Sequence, residues 1–255
     1  MSTVDFGSLL RRLKLSGLLE TLDLRVAEGM NSGLSYREFL EQLLTDELNR
    51  RDSRRLGLRI QKAGFEAPKP IEDFDFSFNP KLPRTTIIEL ATCAFVAAHQ
   101  NALLIGPAGV GKSHLAQAVG LRACKLDKTV LFLDAAECFR RLRAARADAS
   151  YDKLLASYCR VDLLILDDLG LKPLRDHEPE DLYELIRRRY QRGSLLITSN
   201  RAVEELPPLF GNPLLASAAL DRLLHDAHLV ELVGDSYRNP PDGRPRRRIA
   251  SKAAA

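Results

Sequence analysis

Eight consecutive residues, from Gly106 to Ser113, have the types and the spacing of a phosphate-binding loop. They fit the pattern G-x-x-x-x-G-K-[ST] at every fixed position. Glycines at both ends let backbone N–H groups point inward at an anion, and a helix that begins at Lys112 directs its positive end at the same anion. Lys112 can then reach the β- and γ-phosphates of a nucleotide, and the Ser113 hydroxyl can bind Mg²⁺. A plain glycine-rich turn is the alternative, but it leaves the lysine and the serine unexplained.

Five short apolar runs alternate with helical segments over the rest of the chain. The runs are 102–105, 130–133, 163–166, 195–198 and 229–233. Strands that are apolar on both faces and joined by helices predict a parallel sheet covered by helices on both sides, so the fold class is α/β with three layers. Nucleotides bind such sheets at the carboxyl ends of the strands, where this loop lies. The predicted nucleotide-binding residues are Gly106, Pro107, Ala108, Gly109, Val110, Gly111, Lys112, Ser113 and His114.

Two carboxylates follow the third predicted strand. Asp167 and Asp168 end the buried run that begins at residue 161. Asp167 is expected to hold Mg²⁺, directly or through water, beside Ser113. Asp168 can orient or deprotonate the attacking water. A polar turn after a strand is the competing interpretation, and it is weak at the end of the third strand of such a domain.

Two further polar residues complete a candidate catalytic set. Asn200 ends the fourth predicted strand and, if that strand lies between the first and the third, points at the γ-phosphate and holds the attacking water. Arg222 lies on a helix after the proline-rich stretch 207–213. Arginine stabilises the charge on a transferring phosphoryl group, and on a protruding helix it is better placed for a neighbouring subunit's nucleotide. The alternatives are a turn-forming asparagine and a surface pair between Asp221 and Arg222.

The first third of the chain predicts a small helical domain. Residues 6–28 have helical apolar spacing with Gly17 as a weak point, and 29–33 break the pattern. Ser35 and Glu38 then form a capping box, followed by an apolar face over three turns. The predicted apolar face consists of Tyr36, Phe39, Leu40, Leu43, Leu44 and Leu48. The basic residues that follow extend into a next segment, so we expect two or three short helices, which form either a small domain or a docking surface for a partner.

Composition shifts mark four segments. A stretch with four prolines and no periodicity, 64–83, is typical of a linker, and its aromatic run Phe74, Phe76 and Phe78 could cover an adenine ring or pack on the domain surface. The predicted organisation is a helical domain over 1–66, a linker over 67–86, a nucleotide-binding domain over 87–238 and a basic flexible tail over 239–255.

Basic residues cluster at three places although the net charge is only +4. Residues 234–255 carry six basic and two acidic residues, and two arginine-rich runs lie further upstream. Such clusters suit a polyanion, and contacts with phosphates would be independent of DNA sequence and strongly dependent on salt. A solvated surface is the equal alternative. The candidate DNA-binding residues are Arg50, Arg51, Arg54, Arg55, Arg140, Arg141, Arg143 and Arg146.

Membrane and secretory signals are missing from the sequence. No apolar run approaches the ~20 residues of a membrane span, and the amino-terminal residues lack the pattern of a signal peptide. We therefore expect a cytoplasmic protein with no membrane partner. The four cysteines are too scattered for a zinc site, and all four are expected to be reduced and buried.

Taken together, these motifs resemble those of a known class of ATPases. The five that carry the resemblance to AAA+ ATPases of the initiator and helicase-loader clade are 106–113, 167–170, 198–200, 221–223 and 236–238. Within that clade the amino-terminal part is similar to the IstB family, helper ATPases of bacterial insertion-sequence transposition. The stretches that carry this closer similarity are 13–20, 34–40, 46–51 and 74–80.

The resemblance implies an ATP- and Mg²⁺-dependent ATPase that binds double-stranded DNA, self-assembles as a ring or helix and stimulates a partner transposase. By position, Lys112 and Ser113 belong to the Walker A motif, and Asp167 and Asp168 to the Walker B motif. The implied catalytic residues are Lys112, Asp167, Asp168, Asn200 as first sensor, Arg222 as the arginine finger for a neighbouring subunit and Arg238 as second sensor.

Two departures from the wider class are visible. Asp168 stands where glutamate is usual, which bears on the rate of hydrolysis and not on nucleotide binding. The residues after the fifth predicted strand are too few for a four-helix carboxy-terminal lid, a truncation that the loader and IstB families share.

Three other functions compete with that of a transposition helper. A replicative helicase loader of the DnaC type has the same core and a different amino-terminal partner. A small-molecule kinase would leave Asn200, Arg222 and Arg238 without a role. A GTPase is disfavoured because the sequence contains no Asn-Lys-x-Asp for guanine.

Overall fold

The computed structural model describes residues 5–238, and they divide into two units. Unit 1 comprises residues 5–59 and unit 2 begins at Ile60. The predicted tail over 239–255 lies outside the described residues, and the proposed boundaries at 66 and 86 stay predictions. Within 5–238, no helix is long and apolar enough to cross a membrane.

Unit 1 is built from three helices around a small apolar core. They are α1 (Phe6–Arg12), α2 (Ser16–Ser32) and α3 (Tyr36–Ala63), the last of which runs on into unit 2. Leu10, Leu18 and Leu43 form the core, and Phe39 packs against it. Such a core is small, so charged side chains on the helices contribute much of the remaining contact.

The first predicted helix is interrupted at a different place from the expected one. The prediction of weakness at Gly17 was wrong, because the chain turns at Lys14 (φ 57°) and Gly17 lies in the first turn of α2. There the Gly17 N–H donates a 2.6 Å hydrogen bond to the buried carboxylate of Glu47, and a Cβ at Gly17 would meet that carboxylate. The glycine allows α2 and α3 to approach closely.

The predicted break at 29–33 was also too wide. Helix α2 passes through Gly29 and ends at Gly33, whose φ of 61° is the left-handed conformation common at helix ends. The capping box is confirmed, since the Ser35 N–H donates to the Glu38 carboxylate (2.9 Å) and the Glu38 N–H to Ser35 Oγ (3.3 Å).

The region has three helices, as expected, but α3 is one element of 28 residues and not a short helix followed by a separate basic segment. Its predicted apolar face is only partly buried. Leu43 is inside the unit, whereas large apolar side chains remain exposed at Tyr36, Leu40, Leu44 and Leu48. The helix extends through the basic cluster because ion pairs within one turn support it, among them Arg51 with Glu47.

Unit 2 contains the predicted five-stranded parallel sheet. The strands are β1 (Ala102–Ile105), β2 (Val130–Asp134), β3 (Leu163–Asp167), β4 (Ser194–Ser199) and β5 (His228–Glu231), in the order β2-β3-β4-β1-β5. All four neighbouring pairs are parallel. The expectation that the fourth strand lies between the first and the third is confirmed.

Helices cover both faces of this sheet. They are α4 (Arg84–Ala91), α5 (Ala94–Ala97), α6 (Lys112–Lys125), α7 (Ala135–Ala147), α8 (Tyr151–Arg160), α9 (Glu178–Arg189) and α10 (Pro213–Leu224). Helices α7 to α10 share one core with alternate strand residues, while α6 packs against the other face, where Gly120 lies beside Ile165. The α/β, three-layer prediction is confirmed.

The stretch between α3 and α4 has no regular element longer than the 3₁₀ turn Ile71–Asp73. It is fixed by a clasp, in which the buried Asn79 amide donates to the Asp235 carbonyl and accepts from the Asp235 N–H, both at 2.8 Å. The described residues after β5, through 238, contain no helix. Cys93, Cys124 and Cys138 are buried, Cys159 is half-buried, and none forms a disulfide.

Candidate nucleotide-binding site

The phosphate-binding loop joins β1 to α6 and has the backbone that its glycines permit. Gly106, Gly109 and Gly111 have φ values of 151°, 84° and 99°. A Cβ at Gly106 would lie 2.1 Å from the Leu232 carbonyl oxygen, and one at Gly109 would lie 2.1 Å from Ser236 Oγ. These positions therefore require glycine for two reasons, namely the positive φ and the close approach of the segment after β5.

Lys112 is buried at the start of α6 and points its ammonium group into the loop. Its Nζ donates to the Gly106 and Pro107 carbonyls (2.7 and 2.8 Å) and to Asn200 Oδ1. All three acceptors are neutral oxygens, so none of them cancels the charge. Burial lowers the pKa of Lys112, and the nearby Asp168 and Asp167 oppose that shift. A buried cation held by neutral groups is suited to a phosphate.

The two carboxylates end β3 at the same edge of the sheet. Asp167 is buried, and its Oδ1 accepts a 2.5 Å hydrogen bond from the Thr198 hydroxyl. Burial raises the pKa of Asp167, while hydrogen bonds from Thr198 and Ser113 lower it. The structure thus brings the two predicted metal ligands, Ser113 and Asp167, within hydrogen-bonding reach. Oxygen atoms are the ligands that Mg²⁺ prefers, and a bound cation would stabilise the Asp167 carboxylate that burial destabilises. Both residues therefore fit a Mg²⁺ ion.

A cavity of about 730 Å³ opens at this edge, within the size range of small-molecule sites. The predicted residues that line it are Ala108, Gly109, Gly111, Lys112, Ser113, His114, Asp168, Asn200 and Arg238. Gly106 and Pro107 contribute the carbonyls that hold Lys112, and Val110 is fully buried. Asp167 is not part of the lining, but it forms a hydrogen bond with Ser113, which is.

Arg222 is the one predicted catalytic residue that lies away from the cavity lining and its hydrogen bonds. It is half-buried on α10, donates a 2.6 Å hydrogen bond to the Ala218 carbonyl and has its guanidinium carbon 6.0 Å from the centre of the Tyr183 ring.

Several lining residues were missed because they come from sequence-distant segments. Lys69, Asp73, Asp75, Leu171 and Tyr237 also line the cavity. The Tyr237 N–H donates to the Gly109 carbonyl (2.9 Å) and its hydroxyl to the Asp75 carbonyl (2.7 Å). Burial raises the pKa of Tyr237 to about 12. Tyr237 lies in the 236–238 motif, but only Arg238 of that motif was assigned a role from the sequence.

The three phenylalanines of the linker have two different roles. Phe74 is buried, lines the cavity and packs edge-on against the His114 ring at 5.2 Å. Phe76 packs against Phe74, and Phe78 packs against Tyr237 at 4.3 Å. Only Phe74 of the three lines the cavity, so domain packing describes the other two.

The candidate DNA-binding arginines on α7 are engaged in ion pairs. Arg140 and Arg141 both pair with Glu137, Arg143 pairs with Glu178, and Arg146 makes a two-bond pair with the buried Asp181 at 2.6 and 2.8 Å. The other four lie on α3. Arg50 pairs with Glu20, Arg51 with Glu47 and Arg55 with Asp52, while Arg54 is exposed with no ion pair to another described residue. Their contact with DNA stays a prediction.

The sheet order, the loop after β1 and the polar residues that end β3 and β4 define a P-loop NTPase fold. The sequence model described as "IstB-like ATP binding protein" matches residues 8–242, and the chain belongs to this family.

Relatives and solved structures agree with this assignment. An ATP-binding protein in an insertion sequence of Mycobacterium tuberculosis is 41% identical over 93% of this chain and 94% of its own length. The ATP-binding protein of insertion sequence IS21 from Pseudomonas aeruginosa is 36% identical over 90% and 87%. In fold, the chain is similar to the DnaC helicase loader, with a TM-score of 0.52 and 21% identity over 69% of this chain and 99% of that one.

Proposed function

We propose that the protein is an ATPase that depends on ATP and Mg²⁺, binds double-stranded DNA without sequence preference, self-assembles on it and stimulates a partner transposase. One observation carries the proposal. A chain that matches insertion-sequence ATP-binding proteins over nine-tenths of its length gathers Lys112, Ser113, Asp168 and Asn200 around a single cavity. This is the arrangement that phosphoryl transfer from a nucleotide requires.

Each of these residues has a distinct part in the proposed reaction. ATP with its Mg²⁺ supplies the phosphoryl group that is transferred to water. Lys112 would bind the phosphates in exchange for the neutral oxygens that hold its Nζ, and the oxygens of Ser113 and Asp167 would hold the Mg²⁺. Asn200 Oδ1 orients the attacking water, and the Asp168 carboxylate accepts its proton. Arg238, which lines the cavity, neutralises charge on the phosphates.

Arg222 acts in this proposal on the nucleotide of a neighbouring subunit. Its position outside the lining of its own cavity supports that role. Lys112→Ala and Arg222→Ala should each abolish hydrolysis, and a mixture of the two variants should recover part of it, because a mixed interface can contain one intact lysine and one intact arginine. Arg222→Lys is the matched control for charge alone. No recovery in the mixture would refute action between subunits.

DNA contact is proposed to run through phosphates, so that each arginine that binds a phosphate contributes about 0.9 to the slope of log affinity against log salt. Arg54 is the best candidate on α3, because it is exposed and no ion pair to another described residue competes with DNA. We expect Arg54→Ala to reduce the slope by about one and to leave ATP binding unchanged. Arg37, exposed on the same helix outside the basic cluster, is the matched control. An unchanged slope for Arg54→Ala would exclude Arg54 as a phosphate contact.

The central test is binding to a labelled random-sequence duplex with ATP, a non-hydrolysable analogue, ADP or no nucleotide. Tight, cooperative binding only with a triphosphate, lost in Lys112→Ala, is the expected result. Circular dichroism of the variant controls for its fold. Absence of duplex binding in every nucleotide state would refute the proposal. Strand transfer by the partner transposase is then measured in the presence of the wild-type chain or Lys112→Ala. Stimulation by the wild-type chain separates a transposition helper from a helicase loader.

A further inference from the structure

Thr198 has an unusual position for a residue with no assigned role. It is fully buried on β4, two residues before Asn200. Its hydroxyl donates the 2.5 Å hydrogen bond to Asp167 Oδ1 and accepts a 2.9 Å hydrogen bond from the Asp168 N–H. A hydroxyl has one proton to donate and lone pairs to accept, so a single side chain serves both carboxylate residues.

The hydroxyl is the first contact of a ladder between two loops. The Leu169 N–H donates to the Thr198 carbonyl (2.9 Å), and Ser199 Oγ donates to the Leu169 carbonyl (2.7 Å). Further along, Arg201 Nε donates to the Gly170 carbonyl (2.6 Å). Residues 198–201, which contain Asn200, are thereby joined to residues 167–170, which contain both carboxylates.

The backbone at Asp168 needs such support. Its φ is 54°, a left-handed conformation that aspartate tolerates at some cost in free energy. The N–H group of this strained residue is the one that the Thr198 hydroxyl accepts. Without the hydroxyl, a buried carboxylate oxygen of Asp167 and the N–H of the half-buried Asp168 would each lose a partner, and loss at the buried oxygen is costly.

We propose that Thr198 is a positioning residue that holds Asp167 in the orientation for metal binding and fixes the turn that presents Asp168 to the cavity. The inference rests on the proposed function only in taking Asp167 as a metal ligand. Groups that hydrogen-bond metal ligands in this way commonly contribute 10- to 100-fold to metal affinity or activity. The role differs from that of Asn200, which faces the cavity itself.

Two substitutions separate the hydroxyl from the packing of the side chain. Thr198→Val keeps the branched shape and removes the hydroxyl, whereas Thr198→Ser keeps the hydroxyl and removes the methyl group. Ser194→Ala is the matched control, because Ser194 is equally buried on the same strand and its hydroxyl donates to the Phe95 carbonyl (3.2 Å), outside the ladder and the cavity lining.

The measurement is the affinity of the full chain for a fluorescent ATP analogue, first in EDTA and then across a Mg²⁺ titration. In EDTA, we expect Thr198→Val to bind within about twofold of the wild type. The Mg²⁺ concentration that gives half of the full change in nucleotide affinity should rise about 10- to 100-fold in Thr198→Val and stay within about threefold in Thr198→Ser and Ser194→Ala. ATP hydrolysis at saturating Mg²⁺ should follow the same order.

Four results would overturn the inference. An unchanged Mg²⁺ dependence in Thr198→Val would do so directly. An equal rise of the Mg²⁺ requirement in Thr198→Ser would assign the effect to packing of the side chain. Loss of nucleotide binding in EDTA by Thr198→Val would assign the effect to the phosphate-binding loop as a whole. Each of these leaves the proposed function intact. A wild-type chain whose nucleotide binding ignores Mg²⁺ would instead refute the metal role of Asp167 and the inference with it.

Discussion

The ion pair between Arg146 and Asp181 predicts that one candidate DNA-binding arginine is required for the fold. Asp181 is 1% exposed, and its two oxygens accept hydrogen bonds from both terminal nitrogens of Arg146 and from the Tyr151 hydroxyl (2.7 Å). The Arg146 guanidinium also stacks 4.2 Å above the Tyr151 ring. Arg146→Met would keep much of the side-chain volume and leave a buried carboxylate with one neutral donor.

The expected loss of stability follows from burial. Removing one partner of a fully buried pair costs about 3–5 kcal/mol, and an exposed pair contributes about 0–1 kcal/mol. The Arg146 side chain is 32% exposed while that of Asp181 is 1% exposed. We therefore expect Arg146→Met to lower the free energy of unfolding by about 2–4 kcal/mol. Arg140, whose side chain is 74% exposed where it pairs with Glu137, is the control, and Arg140→Met should change that energy by less than about 0.5 kcal/mol.

Urea unfolding followed by circular dichroism measures both variants, since the chain has no tryptophan to report by fluorescence. Adding Asp181→Asn to Arg146→Met removes the unpaired charge and should recover at least about 1 kcal/mol, because the amide needs no cation. If Arg146→Met is as stable as Arg140→Met, or if the double variant recovers nothing, the charge of Asp181 does not depend on Arg146 and the reasoning is wrong. A loss of DNA binding in Arg146→Met should accordingly not be read as a lost phosphate contact.

Three shorter predictions follow from other contacts. Gly109→Ala should reduce affinity for a fluorescent ATP analogue by at least about tenfold, because the methyl group would meet Ser236 Oγ and φ is 84°. Arg189→Met should lower the free energy of unfolding by about 3 kcal/mol in urea, because this buried guanidinium donates four hydrogen bonds of 2.7–3.0 Å to backbone carbonyls. The Asp46 carboxyl should titrate at about 2 by NMR, because Arg25 donates to both its oxygens, and Arg25→Met should return the pKa toward ~3.9.

Each of these three predictions has its own control and a result that would contradict it. Gly57→Ala lies in open space on α3 and should leave ATP affinity unchanged, so equal effects at both glycines would contradict the steric argument. Arg187→Met removes an exposed pair and should be nearly neutral. The lowered pKa of Asp46 stabilises the fold above pH ~4, and that contribution is lost as pH falls toward 2. An Asp46 titration that Arg25→Met leaves unmoved would exclude the arginine as its cause.

The sheet and the loop could be predicted from sequence because their signals are local. All five apolar runs form strands with bounds that differ by at most two residues. Burial on both faces explains the continuous apolar runs of the inner strands, while β5 at the sheet edge exposes three of its four residues. The loop residues are contiguous, and their spacing is dictated by the phosphate. Asn200 reaches Lys112 because β4 lies beside β1, which the parallel order implies.

The features that sequence did not reveal depend on contacts between distant segments. Thr198 meets Asp167 across 31 positions, and Tyr237 meets Gly109 across a still longer separation, so neither pairing leaves a local pattern. The turn at Lys14 was missed because glycine is the usual marker of a break, and here Gly17 serves close packing against Glu47. Helix α3 was underestimated because its second half is held by charges and has little apolar periodicity.

The clasp between Asn79 and Asp235 has a consequence for the order in which the protein folds. The two residues are 156 positions apart, and bringing them together costs on the order of 4–5 kcal/mol of chain entropy. Contacts of such high sequence separation form late and slowly. Leu232, Ser236 and Tyr237, which close over the loop glycines, arrive with them. We therefore expect the nucleotide cavity to close late in the folding of unit 2, and a ligand that needs the closed cavity to stabilise the folded state.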